Sequence, residues 1–178
     1  MTSEQNLVAH WMQTFGQSTP TNPCIPNAST RKLRATLILE EAIEACVALG
    51  FVPEIFFNKE CEDEVELDAT LQEIIVPPNL HQIADALAGL HYVGYCGTGV
   101  ACGINMEPVF QEVHKTNMAK LWSKEEVDHV PLPGVLEKDL VAYEYKGKYV
   151  VKNSVGKIIK PPSWKPPEFK CLNLPTPT

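Results

Sequence analysis

Asn79-Leu-His-Gln-Ile-Ala-Asp-Ala-Leu-Ala-Gly-Leu-His-Tyr-Val-Gly-Tyr-Cys-Gly-Thr-Gly-Val-Ala-Cys-Gly103 is the stretch on which the fold turns. Asn79 with Gln82 three residues on has the form of a capping box, and Gly103 is an end signal, so the stretch predicts one helix to about Cys102. No proline falls between Asn79 and Glu107, and a proline in a helix interior costs about 3 kcal/mol. Yet Gly89, Gly94, Gly97 and Gly99 each weaken an exposed helix by about 1 kcal/mol relative to alanine. Such a concentration needs a reason. Either a second helix approaches closely along Gly89, Ala86, Gly97 and Cys96, in a bundle core or a dimer seam, or the helix is broken.

Outward from this stretch, proline placement divides the chain. Of 15 prolines none lies between Asn27 and Val52, while eight follow residue 130. From Ser3 to Phe15, Leu7, Val8, Trp11, Met12 and Phe15 recur at helical spacing, with Gly16 as the stop. Asn27, Ser29 and Thr30 can cap a second helix, Thr30 to Leu49, whose core stripe is Leu33, Leu37, Leu39, Ile43 and Val47. Pro108 opens a fourth helix through Val109, Phe110, Val113, Met118 and Leu121 to about Trp122. Beyond Pro131, the alternation of Leu140, Ala142, Tyr143 and Tyr145, a turn at Gly147, then Tyr149, Val150 and Val151 reads as a short hairpin. The segment from Lys160 to Glu168 reads as an extended, proline-rich tail draped over the bundle or a neighbouring subunit.

The chain has 178 residues and 44% apolar content, enough for one sizeable core. A charged fraction of 21% and a mean hydropathy of -0.11 exclude a disordered polyampholyte, and no apolar run approaches a membrane span. Between Glu54 and Glu73 eight acids face one lysine, so this stretch carries the whole formal charge of -7. The remainder is neutral, without the clustered basic excess that a nucleic-acid polymer would require. The stretch Phe51 to Val76 is read as a solvated surface element holding a short strand or helix. The N-terminus lacks a basic, apolar leader, which points to the cytoplasm and to six reduced cysteines. No C-x-x-C pair or histidine spacing suggests zinc.

The string Leu39-Glu-Glu-Ala-Ile-Glu44 carries the chemistry. On a helix Glu41 and Glu44 stand three apart and Glu40 and Glu44 four apart, so the three carboxylates converge beside the apolar stripe. No lysine or arginine lies three or four residues from Glu44. Grouped carboxylates without cations call for a divalent metal, and oxygen-only ligation selects Mg²⁺ or Mn²⁺; a solvated helical face is the plain alternative. Asp85, inside the apolar run Ile83 to Ala88, offers a second acidic face that is costly to bury unpaired.

Together with Phe15-Gly-Gln17, Arg34-x-x-Leu-Ile-Leu-Glu-Glu41, Val109-Phe-Gln-Glu-Val-His-Lys-Thr-Asn-Met-Ala-Lys-Leu121, Gly156-Lys-Ile-Ile-Lys-Pro-Pro162 and Pro166-Pro167, these strings carry a resemblance. The chain resembles the all-α nucleoside triphosphate pyrophosphohydrolases, which include MazG-like enzymes, dimeric dUTPases and phosphoribosyl-ATP pyrophosphohydrolases. It is most similar to the phosphoribosyl-ATP pyrophosphohydrolase-like or MazG-like members. The resemblance implies an all-α fold with a MazG-like four-helix bundle core in residues 1–130, interrupted by the acidic insert 51–78. Residues 131–178 would then be a hairpin and tail packed on the same domain.

The resemblance further implies Mg²⁺, or Mn²⁺, on Glu41 and Glu44, with Glu40 as a further ligand or water-orienting base, so that Glu40 and Glu41 are the catalytic pair. In the family's second motif, E-x-x-D, Gln82 takes the glutamate position and Asp85 the aspartate. Many relatives carry an aspartate one turn on, where this chain has Gly89, which reduces the acid supply. Lys115, Asn117 and Lys120, with Arg34, are implied nucleotide contacts; solvent for Lys120 and a helix-end hydrogen bond for Asn117 are the plain alternatives. Lys157 and Lys160 match the tail string and would reach a site in trans or decorate a turn. The implied reaction is Mg²⁺-dependent cleavage of a nucleoside triphosphate to monophosphate and pyrophosphate by a homodimer or homotetramer. Phosphoribosyl-ATP as substrate, a nucleotide-binding member without turnover, and a purely structural assembly role remain as alternatives. No string identifies the base.

Overall fold

The computed structural model describes residues 1–57, 67–75, 77–129 and 140–172. The chain divides into two compact units, Met1–Met106 and Glu107–Thr178. Its content is mainly helical, with two small antiparallel sheets.

In the first unit, α1 (Ser3–Thr14) begins where the Thr2 hydroxyl accepts the Gln5 N–H at 3.1 Å. α2 (Ala28–Ala48) is capped by Asn27, whose Oδ1 accepts the Thr30 N–H at 2.9 Å. α3 runs without interruption over residues 80–101, as α-helix in Leu80–Leu90, π-helix in His91–Thr98 and a last α turn in Gly99–Ala101. The glycines therefore do not break the helix; its middle widens instead. The Thr98 hydroxyl donates to the Val93 carbonyl at 2.9 Å, five residues back, which suits the wider turn. Asn79 caps α3 through the His81 N–H at 2.8 Å. Gln82 is exposed and makes no return bond to Asn79, which caps through His81, the residue before it, so the expected capping box is replaced by a simple N-cap. After α3, Gly103 takes a φ of 66°, the left-handed conformation that glycine adopts most cheaply.

α1 and α2 both run antiparallel to α3. Val8 and Met12 of α1 share a core cluster with Cys96, Val100 and Ala101, and the Trp11 ring meets Tyr92 edge-on at 6.1 Å. Along α2, Arg34 lies over Gly97, Ile38 over Gly94 and Glu41 over Gly89, and the seam continues into a cluster of Ala45, Ala48 and Ala86. The glycines thus serve close helix approach, as expected, though the residues that use the space differ from the expected stripes. Leu33, Leu39, Ile43 and Val47 remain exposed on α2, as do Leu7 and Trp11 on α1 and Phe15 just after it. Small residues on α3 let α2 pack through Arg34, Ile38, Glu41 and Ala45, a face turned away from its apolar stripe.

The acidic insert is a hairpin. β1 (Phe51–Phe57) pairs with β2 (Leu67–Glu73), Phe51 opposite Glu73 and Phe57 opposite Leu67. The Gly50 carbonyl accepts the Ile74 N–H at 2.9 Å where the hairpin closes. Residues 58–66, which carry most of the acids, lie outside the described residues.

α4 (Met106–Met118) stops four residues short of the expected Trp122 and leads into the second unit. Trp122 is 1% exposed, its backbone bridges to Tyr149, and its Nε1 donates to the Ile159 carbonyl at 2.9 Å. A short helix, α5 (Lys124–His129), was not read from the pattern although Ser123 and Glu126 form a complete capping box. The Glu126 N–H donates to Ser123 Oγ at 3.2 Å, and the Ser123 N–H to Glu126 Oε2 at 2.9 Å. The expected hairpin is present as β3 (Leu140–Tyr145) and β4 (Lys148–Asn153), turning on Lys146 and Gly147 at φ of 52° and 75°. The tail packs within its own unit: the Ile159 N–H donates to the Val151 carbonyl at 2.8 Å, and Trp164 Nε1 to the Thr116 carbonyl at 3.0 Å. Among the described residues no helix is long and apolar enough to cross a membrane.

Candidate active site

Because α2 and α3 are antiparallel and meet over small residues, their acidic positions face one another. Glu41 and Glu44 from α2 and Asp85 from α3 line one open cavity of about 320 Å³, completed by Ala88, Gly89 and Tyr92. Glu44 and Asp85 also border a second cavity of about 310 Å³, together with Gln82 and Ala86. Four of the expected metal-site residues are therefore brought to one end of one helix pair. None of these carboxylates is in an ion pair with a lysine or arginine among the described residues. Their charge is left for solvent or for a ligand.

Glu40 is exposed and borders neither cavity. Tyr92 was not singled out from the sequence, although Asp85, Gly89 and Tyr92 fall on one helix face by the spacing of four and three that located the glutamates. Among the described residues no three histidine, cysteine or acidic side chains already stand together as a metal-holding group.

Arg34 lies two turns before Glu41 on the same face of α2, and only 6% of it is exposed. Its Nη2 donates to Gln17 Oε1 and approaches Met12 Sδ at 3.6 Å, while its buried Nε has no hydrogen-bond partner. Burial pushes its pKa down. The same burial pushes the nearby Cys102 thiol up. Arg34 does not border the carboxylate cavities.

The remaining expected contacts belong to the second unit. Lys115 reaches Glu112 at 3.2 Å, with its side chain 77% exposed. Asn117 is exposed, and its carbonyl accepts the Lys120 N–H at 3.2 Å. Lys115 borders a cleft of about 690 Å³ shared with Lys148, Lys165, Lys170 and Trp164. Glu126, on the same cleft, is held as a carboxylate below its usual pKa, first by its hydrogen bond with Ser163 and then by Ser123. Lys160 stacks its ammonium on the Trp164 ring at 4.0 Å.

The family model described as phosphoribosyl-ATP pyrophosphohydrolase matches residues 8–117. The match takes in α2, α3, both cavities and nearly all of α4. The protein is accordingly a nucleotide pyrophosphohydrolase of the MazG-like all-α superfamily. Within it, the chain belongs to the phosphoribosyl-ATP pyrophosphohydrolase family. No curated protein matches the chain.

Proposed function

We propose that the protein hydrolyses a nucleoside triphosphate, or a related nucleotide, between its α and β phosphates, and that Mg²⁺ serves the reaction with Mn²⁺ able to replace it. The observation that carries this reading is the single cavity onto which Glu41, Glu44 and Asp85 open from two helices without an opposing cation. The family is generally dependent on a divalent metal. The donors fit a hard cation: all are oxygens, Gln82 can add its amide oxygen, and the half-buried Glu41 is joined on the cavity rim by the exposed Glu44 and Asp85, whose side chains can rotate onto an ion. When bound, such an ion neutralises phosphate oxygens and lowers the pKa of a coordinated water.

The chain's own residues supply the rest. We assign to Glu40, which lies in solvent one turn before Glu44 and outside both cavities, the role of orienting the attacking water and accepting its proton. Tyr92 lines the cavity of Glu41, Glu44 and Asp85. Lys115, Asn117 and Lys120 serve as phosphate contacts, their donors matching the charge that moves onto the leaving pyrophosphate. Arg34 is better assigned to the helix seam than to substrate, because its guanidinium is buried against Gln17 and Met12. The exposed apolar residues of α1 and α2 support a homo-oligomer that covers them and completes a four-helix core. A cytoplasmic location suits a nucleotide substrate.

The family match favours a second substrate, phosphoribosyl-ATP, whose cleavage breaks the same anhydride and releases the same pyrophosphate. Pyrophosphate release with Mg²⁺ from a panel of nucleoside triphosphates and phosphoribosyl-ATP tests both. Turnover of any member supports the reading, and its preferred member sets the substrate. Nucleotide binding without release from any of them would sink it and leave a binding protein.

A further inference from the structure

Gly89 has an ordinary helical backbone and is absent from the glycines with positive φ, so its conformation does not require glycine. What requires it is Glu41. A Cβ built at position 89 would stand 2.8 Å from Glu41 Cδ, 3.2 Å from Oε1 and closer still to Oε2. These atoms end a flexible side chain, so a methyl group at 89 would drive the carboxylate away and leave the helix undisturbed. Asp85 lies one turn earlier on the same face of α3. The gap at 89 is therefore what allows Glu41 to set its carboxylate on α3 beside Asp85, where both border the cavity.

We propose that Gly89 is a positioning residue for the metal-binding carboxylates: its missing side chain is the seat of the Glu41 carboxylate. The inference rests on the reading of Glu41, Glu44 and Asp85 as metal ligands. It also reverses the meaning of glycine at this position. In place of an acid borne by α3 itself, α2 delivers one onto the face of α3, and the helix-weakening glycine is kept because alanine would fill the seat.

Gly94 provides the control, since a Cβ there would meet only Ile38 Cγ1 at 3.9 Å, an ordinary contact. Gly89→Ala, Gly94→Ala, Glu41→Gln and the double variant Gly89→Ala with Glu41→Asp are compared by Mn²⁺ binding in electron paramagnetic resonance, by thermal melting and by pyrophosphate release. Gly94→Ala should match the parent in Mn²⁺ affinity and turnover. Gly89→Ala should melt no lower than the parent yet bind Mn²⁺ roughly tenfold more weakly, in the range seen when a group that orients a metal ligand is altered. The double variant, whose shorter carboxylate clears the methyl group, should recover affinity over Gly89→Ala, and this comparison also decides the case if Gly89→Ala alone loses its fold. Parent-like Mn²⁺ binding by Gly89→Ala, or no recovery in the double variant, overturns the proposal. Glu41→Gln separates the two levels: if it binds Mn²⁺ as the parent does, the ligand reading itself fails; if it alone is weakened, only the role of Gly89 is lost.

Discussion

Replacing Gln5 by methionine tests how the first unit is held together. Gln5 is fully buried, and its side chain passes over Gly99, where a Cβ would stand 2.8 Å from Nε2. Its Nε2 donates to the Ile104 carbonyl at 3.0 Å, and its Oε1 accepts the Met106 N–H at 3.0 Å. One amide thus satisfies two backbone groups in the turn after α3 and ties that turn to α1. Methionine keeps the length of the side chain and removes both bonds. Each orphaned backbone group costs about 1–3 kcal/mol, and methionine returns part of this by burying no amide of its own. The net loss should be about 2–4 kcal/mol, a large share of the 5–15 kcal/mol typical of a whole domain. Urea denaturation followed by far-ultraviolet circular dichroism measures it, with an unchanged m-value as the sign that only stability has moved. The cap bond from the Gln5 backbone N–H to Thr2 survives the exchange, so helix content before the transition should not fall. A loss below about 1 kcal/mol would mean that the turn satisfies its groups without Gln5 and that the tie has been misjudged.

Glu41→Gln should abolish pyrophosphate release while leaving circular dichroism unchanged; residual turnover near the parent level removes the metal assignment. Trp122→Phe should cost about 1–3 kcal/mol by orphaning the Ile159 carbonyl, and amide exchange at Ile159 and the Val151 strand should quicken, whereas unaltered exchange would show that the indole does not anchor the tail. Glu126 has its pKa depressed in the folded state by hydrogen bonds with Ser163 and Ser123, so its stabilising contribution is present above the unfolded carboxylate pKa and is lost as pH falls through the folded value. Glu126→Gln should therefore destabilise the protein near neutrality, by about 1 kcal/mol as for other helix caps, and the gap from the parent should close in acid; a gap that widens in acid contradicts the assignment.

Local signals were legible in the sequence because they are read from neighbouring residues alone. Gly16, Gly103, Asn27 and Gly147 each mark an end or turn whose chemistry is complete within a few residues, and the structure uses all four. The capping box at Ser123 and Glu126 was equally legible, and the short helix behind it was missed only because it has too few turns to show a period. The π-helical middle of α3 had no comparable signal, since glycine announces a need for space without saying what will fill it. The same limit explains the candidate site. Spacing alone grouped Glu41 with Glu44 and picked out Asp85, but the match of Glu41 to Gly89 depends on how two helices meet.

That meeting also inverts the usual use of apolar periodicity. Leu33, Leu39, Ile43 and Val47 form an apolar stripe on α2, yet Arg34, Ile38, Glu41 and Ala45 take the seam. A glycine gap selects for shape, and a guanidinium or a carboxylate can occupy it as readily as a leucine provided its charge has a use or an exit. Arg34 pays part of that cost with an unpartnered Nε, while Glu41 opens onto a cavity. The glycine seam thus makes α2 present Glu41 and a buried arginine to its own chain and an apolar stripe outward, of which Ile43 and Val47 also border the cavity of Glu44 and Asp85. On this reading the outward stripe is the surface on which the proposed homo-oligomer assembles, and the carboxylate cavity is set by the α2–α3 pair before any partner arrives. Assembly and metal binding should then separate at the end of the stripe that borders neither cavity: a charge placed there, as in Leu33→Lys, should lower the oligomeric state measured by sedimentation while leaving Mn²⁺ affinity near the parent value.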